Sequence, residues 1–428
     1  MDRLSAGTII KTSMGRPVKI VKELGEGGQA VVYLAEYQGD YKALKWFDAD
    51  KMPDKEAFYE NLKEIINRGS PDSAFLWPEE LTEEKYGSFG YIMKLIPKEY
   101  HKLSEIMNVA DLDFRTFKEV TEAAIKITFA YGKLHKSGYA YQDINYNNLY
   151  INPDTGDVLI GDNDNIAPDG VNLGIIGTPR YMAPEVGSGE RRPDTQSDRY
   201  SLAVILFYLF FWSHPLEGEQ WLGCLTDKKS EKIYITNPVF ILDPDDSSNR
   251  PVKNIHKYVL ERWPFMPDYF KSAFIRNFSK EAIRNPQSRM TEYEWLKILT
   301  RFRSDIVICS CGNNLVIKEN SQLICDSCGK TLAVEHRLQL PDYNVSAVKG
   351  TRIYRCQLGF CNGDNALDRV GLIADKGDNN PVLRNLSNIT WSAITPSGKA
   401  RTVAPGEAVP LKAGIQLKIF DSKIKITE

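Results

Sequence analysis

Apolar and polar residues alternate from Val18 to Phe47 (VKIVKELGEGGQAVVYLAEYQGDYKALKWF), and a glycine cluster at Gly25-Glu26-Gly27-Gly28 interrupts the alternation. Period two is the pattern of half-buried strands, so this stretch predicts strands joined by a glycine turn. The period then lengthens. Phe58-Tyr59-Glu60-Asn61-Leu62-Lys63-Glu64-Ile65-Ile66 reads as a helix, and Phe117, Val120, Ala124, Ile127, Tyr131 and Leu134 recur every three or four residues in a second helix from Phe114 to Lys136. Tyr91 to Ile96 reads as a strand. Alternation returns near the end of the chain, at Ile415-Gln416-Leu417-Lys418-Ile419 and Ile424-Lys425-Ile426, with Pro-Ser-Gly-Lys and similar turns breaking the runs. Three regions follow: residues 1–305, strand-rich and then mostly helical; a cysteine-rich piece at 306–332; and a β-rich remainder at 333–428.

With 428 residues the chain is too long for one compact domain and predicts two or three. A formal charge of −2 gives no bulk attraction to a phosphate backbone, so nucleic acid is not an expected partner. The first residues, MDRLSAGTIIKTSMGR, lack the apolar stretch of a secretory signal. The most apolar run, Leu202 to Trp212, falls far short of the roughly 20 residues that span a bilayer. These features predict a soluble, cytoplasmic protein. Seven cysteines, four of them in one tight cluster, suit a metal site in a reducing compartment better than a disulfide framework.

The chemistry concentrates in two short segments. YQDINYNNLY places Asn148 five residues after Asp143, and VLIGDNDN adds Asp162 after a short turn. Phosphoryl transfer needs one carboxylate to orient a hydroxyl, plus an amide and a carboxylate to hold Mg²⁺ against phosphates. Upstream, glycines at 25, 27 and 28 would let backbone amides approach a phosphate without Cβ interference. Lys45 ends the next strand pattern and needs a carboxylate to hold it toward the phosphates. Glu60 and Glu64, four apart on one helix face, are the candidates. Asp164 reads as a loop residue or as a helper to Asp162.

In order and context these segments resemble the protein-kinase signature set, with Gly177-Thr178-Pro179-Arg180-Tyr181-Met182-Ala183-Pro184-Glu185 standing where the A-P-E motif belongs. The resemblance spans about the first 300 residues and implies a bilobal kinase fold, with an N-lobe to about residue 93 and a C-lobe from about 97 to 305. It implies a Ser/Thr protein kinase using ATP with Mg²⁺ or Mn²⁺ and acting on proteins. Asp143 would be the base, Lys45 and Glu60 the phosphate clamp, and Asn148 and Asp162 the metal ligands. The phosphate loop would be Gly25, Glu26, Gly27 and Gly28. The nucleotide would further meet Val32, Ala43, Met93, Leu95 and Ile96. Thr178 would face the substrate. By the same resemblance Asp198 caps the catalytic-loop backbone, Arg289 pairs with Glu185, and His135 is a satisfied core imidazole.

Departures from the pattern carry information too. Gln142 replaces the Arg that would receive an activation-loop phosphate, and residues 162–177 contain no Ser, Thr or Tyr. Both point to activity that is not switched by phosphorylation there. Asn145 stands where Ser/Thr kinases carry a Lys, and Asn163-Asp164 replaces Phe-Gly. A nucleotide-binding pseudokinase scaffold is therefore the alternative to a catalyst.

Cys309 and Cys311, thirteen intervening residues, then Cys325 and Cys328 form two knuckles able to surround a structural Zn²⁺ tetrahedrally. The first knuckle is C-x-C rather than C-x-x-C. Cys356 and Cys361 read as buried thiols rather than a second metal site. A zinc-dependent nucleic-acid adaptor is a third reading, but no basic–aromatic surface supports it. The last region, through Leu383 to Asn388, Trp391 and Pro405 to Leu411, resembles the later strands of a forkhead-associated β-sandwich. Arg352 and Arg384 are its candidate phosphate contacts. Kinase, four-Cys ribbon and sandwich in series resemble bacterial kinases of the TerY-associated phosphorylation type. That similarity implies a von Willebrand A-domain protein and a PP2C-type phosphatase as partners.

Overall fold

The computed structural model describes residues 3–52, 54–109, 112–174, 177–223, 226–318, 323–359, 361, 363–375 and 380–428. Cys224, to which the sequence assigns no role, lies outside the described residues.

The N-terminal alternation folds into strands β1 (Ile9–Lys11), β2 (Pro17–Glu26), β3 (Ala30–Tyr37) and β4 (Asp40–Phe47). With β5 (Glu80–Leu81) and β6 (Gly90–Met93) they form an antiparallel sheet in the order β1-β2-β3-β4-β6-β5. Val18, Ile20, Val31, Tyr33, Leu44, Trp46 and Ile92 fill one face. The other face presents Ala30, Phe47, Phe89 and Tyr91 to helix α1 (Lys55–Arg68). Register shifts in β2 between Ile20 and Lys22 and between Glu23 and Gly25 add twist just before the glycine turn. Asp54 caps α1 by accepting from the Ala57 amide at 2.9 Å, and Gly69 ends the helix at φ 78°. The residues that α1 buries are Phe58, Asn61, Leu62 and Ile65, one stripe at helical spacing.

The three longest helices of the second lobe among the described residues carry much of its core. In α2 (Phe117–Lys136) Val120, Ala124, Ile127, Tyr131 and Leu134 are buried, while Phe117 is half-buried at the rim. Helix α3 (Thr195–Phe211) is apolar nearly all round after its first turn, as a helix surrounded by protein must be. Its start is fixed by an Asp194/Ser197 capping box. Helix α4 (Glu292–Asp305) buries Trp295, Leu296, Leu299 and Phe302 and closes the lobe. The lobes are tied directly: Ile160 donates to Ala74 O at 2.7 Å and receives Leu76 N at 2.9 Å.

Helix α4 runs without a break into the hairpin Ile306–Ile308 with Asn314–Val316. A second small hairpin pairs Leu323–Ile324 with Thr331–Leu332. The remainder forms two antiparallel sheets. One runs Asn344–Ser346, Arg337–Gln339, Ser422–Thr427, Gln416–Ile419, Trp391–Ile394, Ala400–Val403; the other runs Arg352–Tyr354, Arg369–Asp375, Pro381–Asn385, Ala408–Pro410. Leu338, Ile373, Leu383, Trp391, Leu417 and Ile424 share the core of this all-β region.

This region packs against the kinase-like part. Tyr354, Cys356 and Ala366 join the larger core, and Tyr293 on α4 donates to the carbonyls of Cys356 (3.2 Å) and Gly359 (2.7 Å). Glu122 on α2 accepts from Arg303 at 2.9 Å and Arg352 at 3.0 Å. Arg352 is thus occupied by the neighbouring lobe and is not placed as a phosphate contact; Arg384 is exposed on its strand.

Candidate active site between the lobes

The β2–β3 turn is closed by Gly27 N donating to Ala30 O at 2.8 Å, with Gly25 opposite Val32. A Cβ at Gly25 or Gly28 would meet nothing within 4 Å, so these backbones border open space. The Glu26 side chain turns outward to Arg3. Ala43 lies opposite Met93 across β4–β6, and the chain continues through Leu95 and Ile96, both half-buried, into the second lobe.

Lys45 sits between Val32 and Tyr91 in the sheet register. The strand beside it is close: a Cβ at Gly90 would lie 2.3 Å from Lys45 O. Lys45 Nζ reaches Asp164 Oδ1 at 2.7 Å and Asp162 Oδ1 at 3.1 Å, and the Tyr91 hydroxyl donates to the same Asp164 oxygen at 2.8 Å. The Asp164 side chain is 3% exposed and that of Asp162 52%. Burial works against the Lys45 ammonium, but Asp162 and Asp164 outweigh it and hold its pKa above the ordinary value. In return, Lys45 holds the Asp162 carboxyl below the usual range.

The expected Lys45–Glu60 pair does not form. Glu60 is solvent-facing and pairs with Lys63 at 3.2 Å, and Glu64 pairs with Arg68 at 2.8 Å. The stripe that turns Phe58, Leu62 and Ile65 inward brings residue 61 with it, and Asn61 Nδ2 donates to Ile166 O at 2.8 Å. Glu60 is one residue, about 100°, off the inward face.

Below the cleft, Asp143 Oδ1 accepts from Thr178 Oγ1 at 2.8 Å. Asn145 Nδ2 donates to Asp143 O (3.1 Å) and to Thr178 Oγ1 (3.2 Å), and Asn148 Nδ2 donates to Asp143 O (3.0 Å). Asn145 therefore ties Asp143 to Thr178 without supplying a positive charge. Burial, opposed by the Thr178 and Asn145 bonds, pushes the Asp143 carboxyl up. With its NH₂ committed to Asp143, Asn148 keeps its Oδ1 for a cation, and half-exposed Asp162 keeps carboxylate capacity beside it. This all-oxygen donor set fits Mg²⁺. Asn163 is buried, donates to Ile160 O at 3.0 Å, and leaves its Oδ1 without a partner among the described residues.

The loop carrying Asp143 is held from beneath. Asp198 Oδ2 accepts from Tyr141 N at 2.6 Å and Oδ1 from Gln142 N at 2.9 Å. His135 bridges Asp198 (3.0 Å) and Glu292 (2.9 Å), and Glu292 also takes Arg199 at 2.8 Å. Against the cost of burial, Glu292 and Asp198 push the His135 pKa up to about 9. Gln142, at φ 72°, donates to Val171 O at 2.5 Å and accepts from Asn172 at 3.1 Å. Neutral hydrogen bonds thus attach the activation segment where the resemblance would place an Arg–phosphate pair. Farther along, Glu185 and Arg289 form a buried two-point pair at 2.7 and 2.8 Å.

The four Sγ atoms of Cys309, Cys311, Cys325 and Cys328 lie within 4.8 Å of one another, with Cys309–Cys328 at 3.6 Å and Cys311–Cys325 at 3.5 Å. A ZnS₄ tetrahedron with bonds of about 2.3 Å has edges of about 3.8 Å, so the cluster fits the ion. Gly312 (φ 90°) and Gly329 (φ 71°) turn the chain beneath each pair.

Sequence reasoning missed three residues of the cleft: Tyr91, Asn61, and Asp164 as a direct partner of Lys45. The apolar stripe of α1 was the available signal for Asn61; nothing local marks the other two.

The chain is 27% identical over 175 residues to a protein of Oryza sativa subsp. japonica named as CBL-interacting protein kinase 13, which covers 38% of this chain and 28% of that one. Among solved structures it is similar to the kinase domain of Mycobacterium tuberculosis PknI at 18% identity and TM-score 0.46, over 70% of this chain and 98% of that one. A point mutant of the same domain gives TM-score 0.47. The sequence model of the family described as Protein kinase domain matches residues 18–297. On that match, which takes in Lys45, Asp143, Asn148 and Asp162, the chain belongs to the protein kinase family.

Proposed function

We propose that this kinase transfers the γ-phosphoryl group of ATP to serine and threonine hydroxyls of proteins. The carrying observation is the bond from Thr178 to Asp143 Oδ1, with Asn145 and Asn148 gripping the Asp143 carbonyl. It holds the carboxylate beside Thr178, near enough to Asp162 for that charge to act on it. Asp143 orients the incoming hydroxyl and accepts its proton; Lys45 holds the α- and β-phosphates; the amides of 25–28 cover them. Val32, Ala43, Met93, Leu95 and Ile96 border the adenine. Asn148 and Asp162 would hold Mg²⁺, which when bound neutralises charge on the phosphates. Gln142 keeps the activation segment attached without a phosphate, which supports activity independent of phosphorylation there.

Asn145 favours a second reading, a nucleotide-binding scaffold, because a neutral amide stands where a cation would meet the transferring group. Labelled ATP supplied to the full chain and to Asp143→Ala, with phospho-amino-acid analysis, separates the two. Label on Ser or Thr that Asp143→Ala abolishes supports the kinase. Nucleotide binding with no transfer to itself or to any protein supplied supports the scaffold.

We infer a structural Zn²⁺ at the four cysteines, since a closed thiolate set leaves no open coordination position. A von Willebrand A-domain protein and a PP2C-type phosphatase as partners rest on the resemblance of domain order alone. Among the described residues no helix is long and apolar enough to cross a membrane.

A further inference from the structure

In protein kinases the strand lysine is held by a carboxylate of the N-lobe helix, and movement of that helix makes or breaks the pair. Here no α1 carboxylate reaches Lys45: the inward position is Asn61, spent on Ile166 O, while Glu60 and Glu64 pair outward. Asp164 fills the gap. It touches Lys45 at 2.7 Å, closer than Asp162, and is buried. Tyr91, directly across the sheet from Lys45, fixes it with a hydroxyl bond at 2.8 Å. Asp162, half-exposed at the cleft, meets Lys45 through Oδ1 and keeps its other oxygen for a metal ion; Asp164 is walled in, and among the described residues its side chain serves Lys45 and Tyr91.

We propose that Asp164 is the positioning residue for Lys45, replacing the helix carboxylate, so that one tripeptide, Asp162-Asn163-Asp164, supplies both the metal ligand and the lysine anchor. The proposal rests on the kinase reading for the nucleotide but not on catalysis. Its consequence is regulatory. The Lys45 anchor belongs to the segment following the Mg²⁺ site, so α1 bears on it through the Asn61–Ile166 O bond, two residues from Asp164, and not through a helix carboxylate. Control by making or breaking a lysine–helix ion pair is thereby removed, in parallel with the neutral Gln142 attachment that stands in for phosphate control.

The test uses the full chain and two independent readouts. In the first, ATP affinity is measured by calorimetry with and without Mg²⁺. Loss of one charge-assisted contact predicts roughly 10- to 100-fold weaker ATP binding for Asp164→Asn, with the Mg²⁺ concentration for half-maximal tightening unchanged. Glu60→Gln leaves affinity unchanged. Adding Asn61→Glu to Asp164→Asn, which restores a carboxylate at the inward helix position, recovers affinity in part. In the second readout, thermal unfolding without nucleotide, Lys45→Met lowers the melting temperature by stranding Asp164. The double variant Lys45→Met/Asp164→Asn regains most of the loss. Unchanged affinity in Asp164→Asn, or weakening by Glu60→Gln instead, overturns the proposal. So does a shifted Mg²⁺ requirement matching that of Asp162→Asn, which would make Asp164 a metal ligand. If wild type binds no nucleotide, the functional reading fails while the unfolding cycle still decides the Lys45–Asp164 pair.

Discussion

Replacing His135 with Asn should destabilise the protein by about 3 kcal/mol more at pH 6 than at pH 9. The ring is buried between Asp198 and Glu292, with side chains 4%, 2% and 9% exposed, so solvent screens these contacts little. Its pKa stands at about 9 against an ordinary 6.5. A group whose folded pKa is raised contributes stability that is complete below its unfolded pKa and lost as pH rises through the folded one. The shift corresponds to about 3 kcal/mol at pH 6, about 2 at pH 7.5 and well under about 1 at pH 9. Glu292, depressed to about 2 by His135 and Arg199 against burial, carries the same ion pair seen from the other side, so the two shifts are not summed. Its contribution is present above pH 4.5 and lost as pH falls toward 2. Urea unfolding of wild type and His135→Asn, followed by tryptophan fluorescence at the three pH values, measures the difference directly. A stability loss that is the same at pH 6 and pH 9 would refute the charged imidazole. At pH 6 the variant should also lose activity more steeply with temperature, because Asp198 holds the Tyr141 and Gln142 amides of the catalytic loop.

Other consequences can be checked separately. Asn145→Lys should raise kcat at least about tenfold by returning positive charge to the transferring group, and an unchanged kcat in steady-state assays would show that the missing charge is not limiting. Arg289→Ala leaves Glu185 buried without its partner and should cost about 3–5 kcal/mol in denaturant unfolding, whereas an Arg289→Ala/Glu185→Ala double variant should cost less than the sum. Denatured protein should release about one Zn²⁺ per chain to a colorimetric chelator, and Cys325→Ser should abolish this and expose residues 306–332 to protease. Glu122→Ala removes the shared partner of Arg303 and Arg352 and should speed cleavage between kinase and all-β region; unaltered digestion would show that apolar packing alone holds them.

Much of the site could be read from contiguous residues. Asp143 and Asn148 share one loop, Asp162 ends the next hairpin, and each cysteine pair lies on a single turn, so spacing carries their geometry. The alternation from Val18 to Phe47 likewise implied strands with a glycine turn, because the side-chain period of a strand is local. The Lys45 partner was not readable in this way. Glu60 and Asn61 are adjacent in sequence and about 100° apart on a helix, and only the packing of Phe58, Leu62 and Ile65 against the sheet decides which one faces the cleft.

The chain's own order of residues determined a protein-kinase sequence pattern, a four-cysteine cluster and a β-rich end, since each is written in short-range spacing and periodicity. Tertiary structure alone decided that Asp164 rather than Glu60 meets Lys45, that Gln142 fastens Val171 and Asn172, and that Arg352 is taken by Glu122. Each of these is a contact between segments far apart in the chain. Such contacts are selected by burial and by the need of buried polar groups for partners, and no local pattern encodes which partner will be nearest.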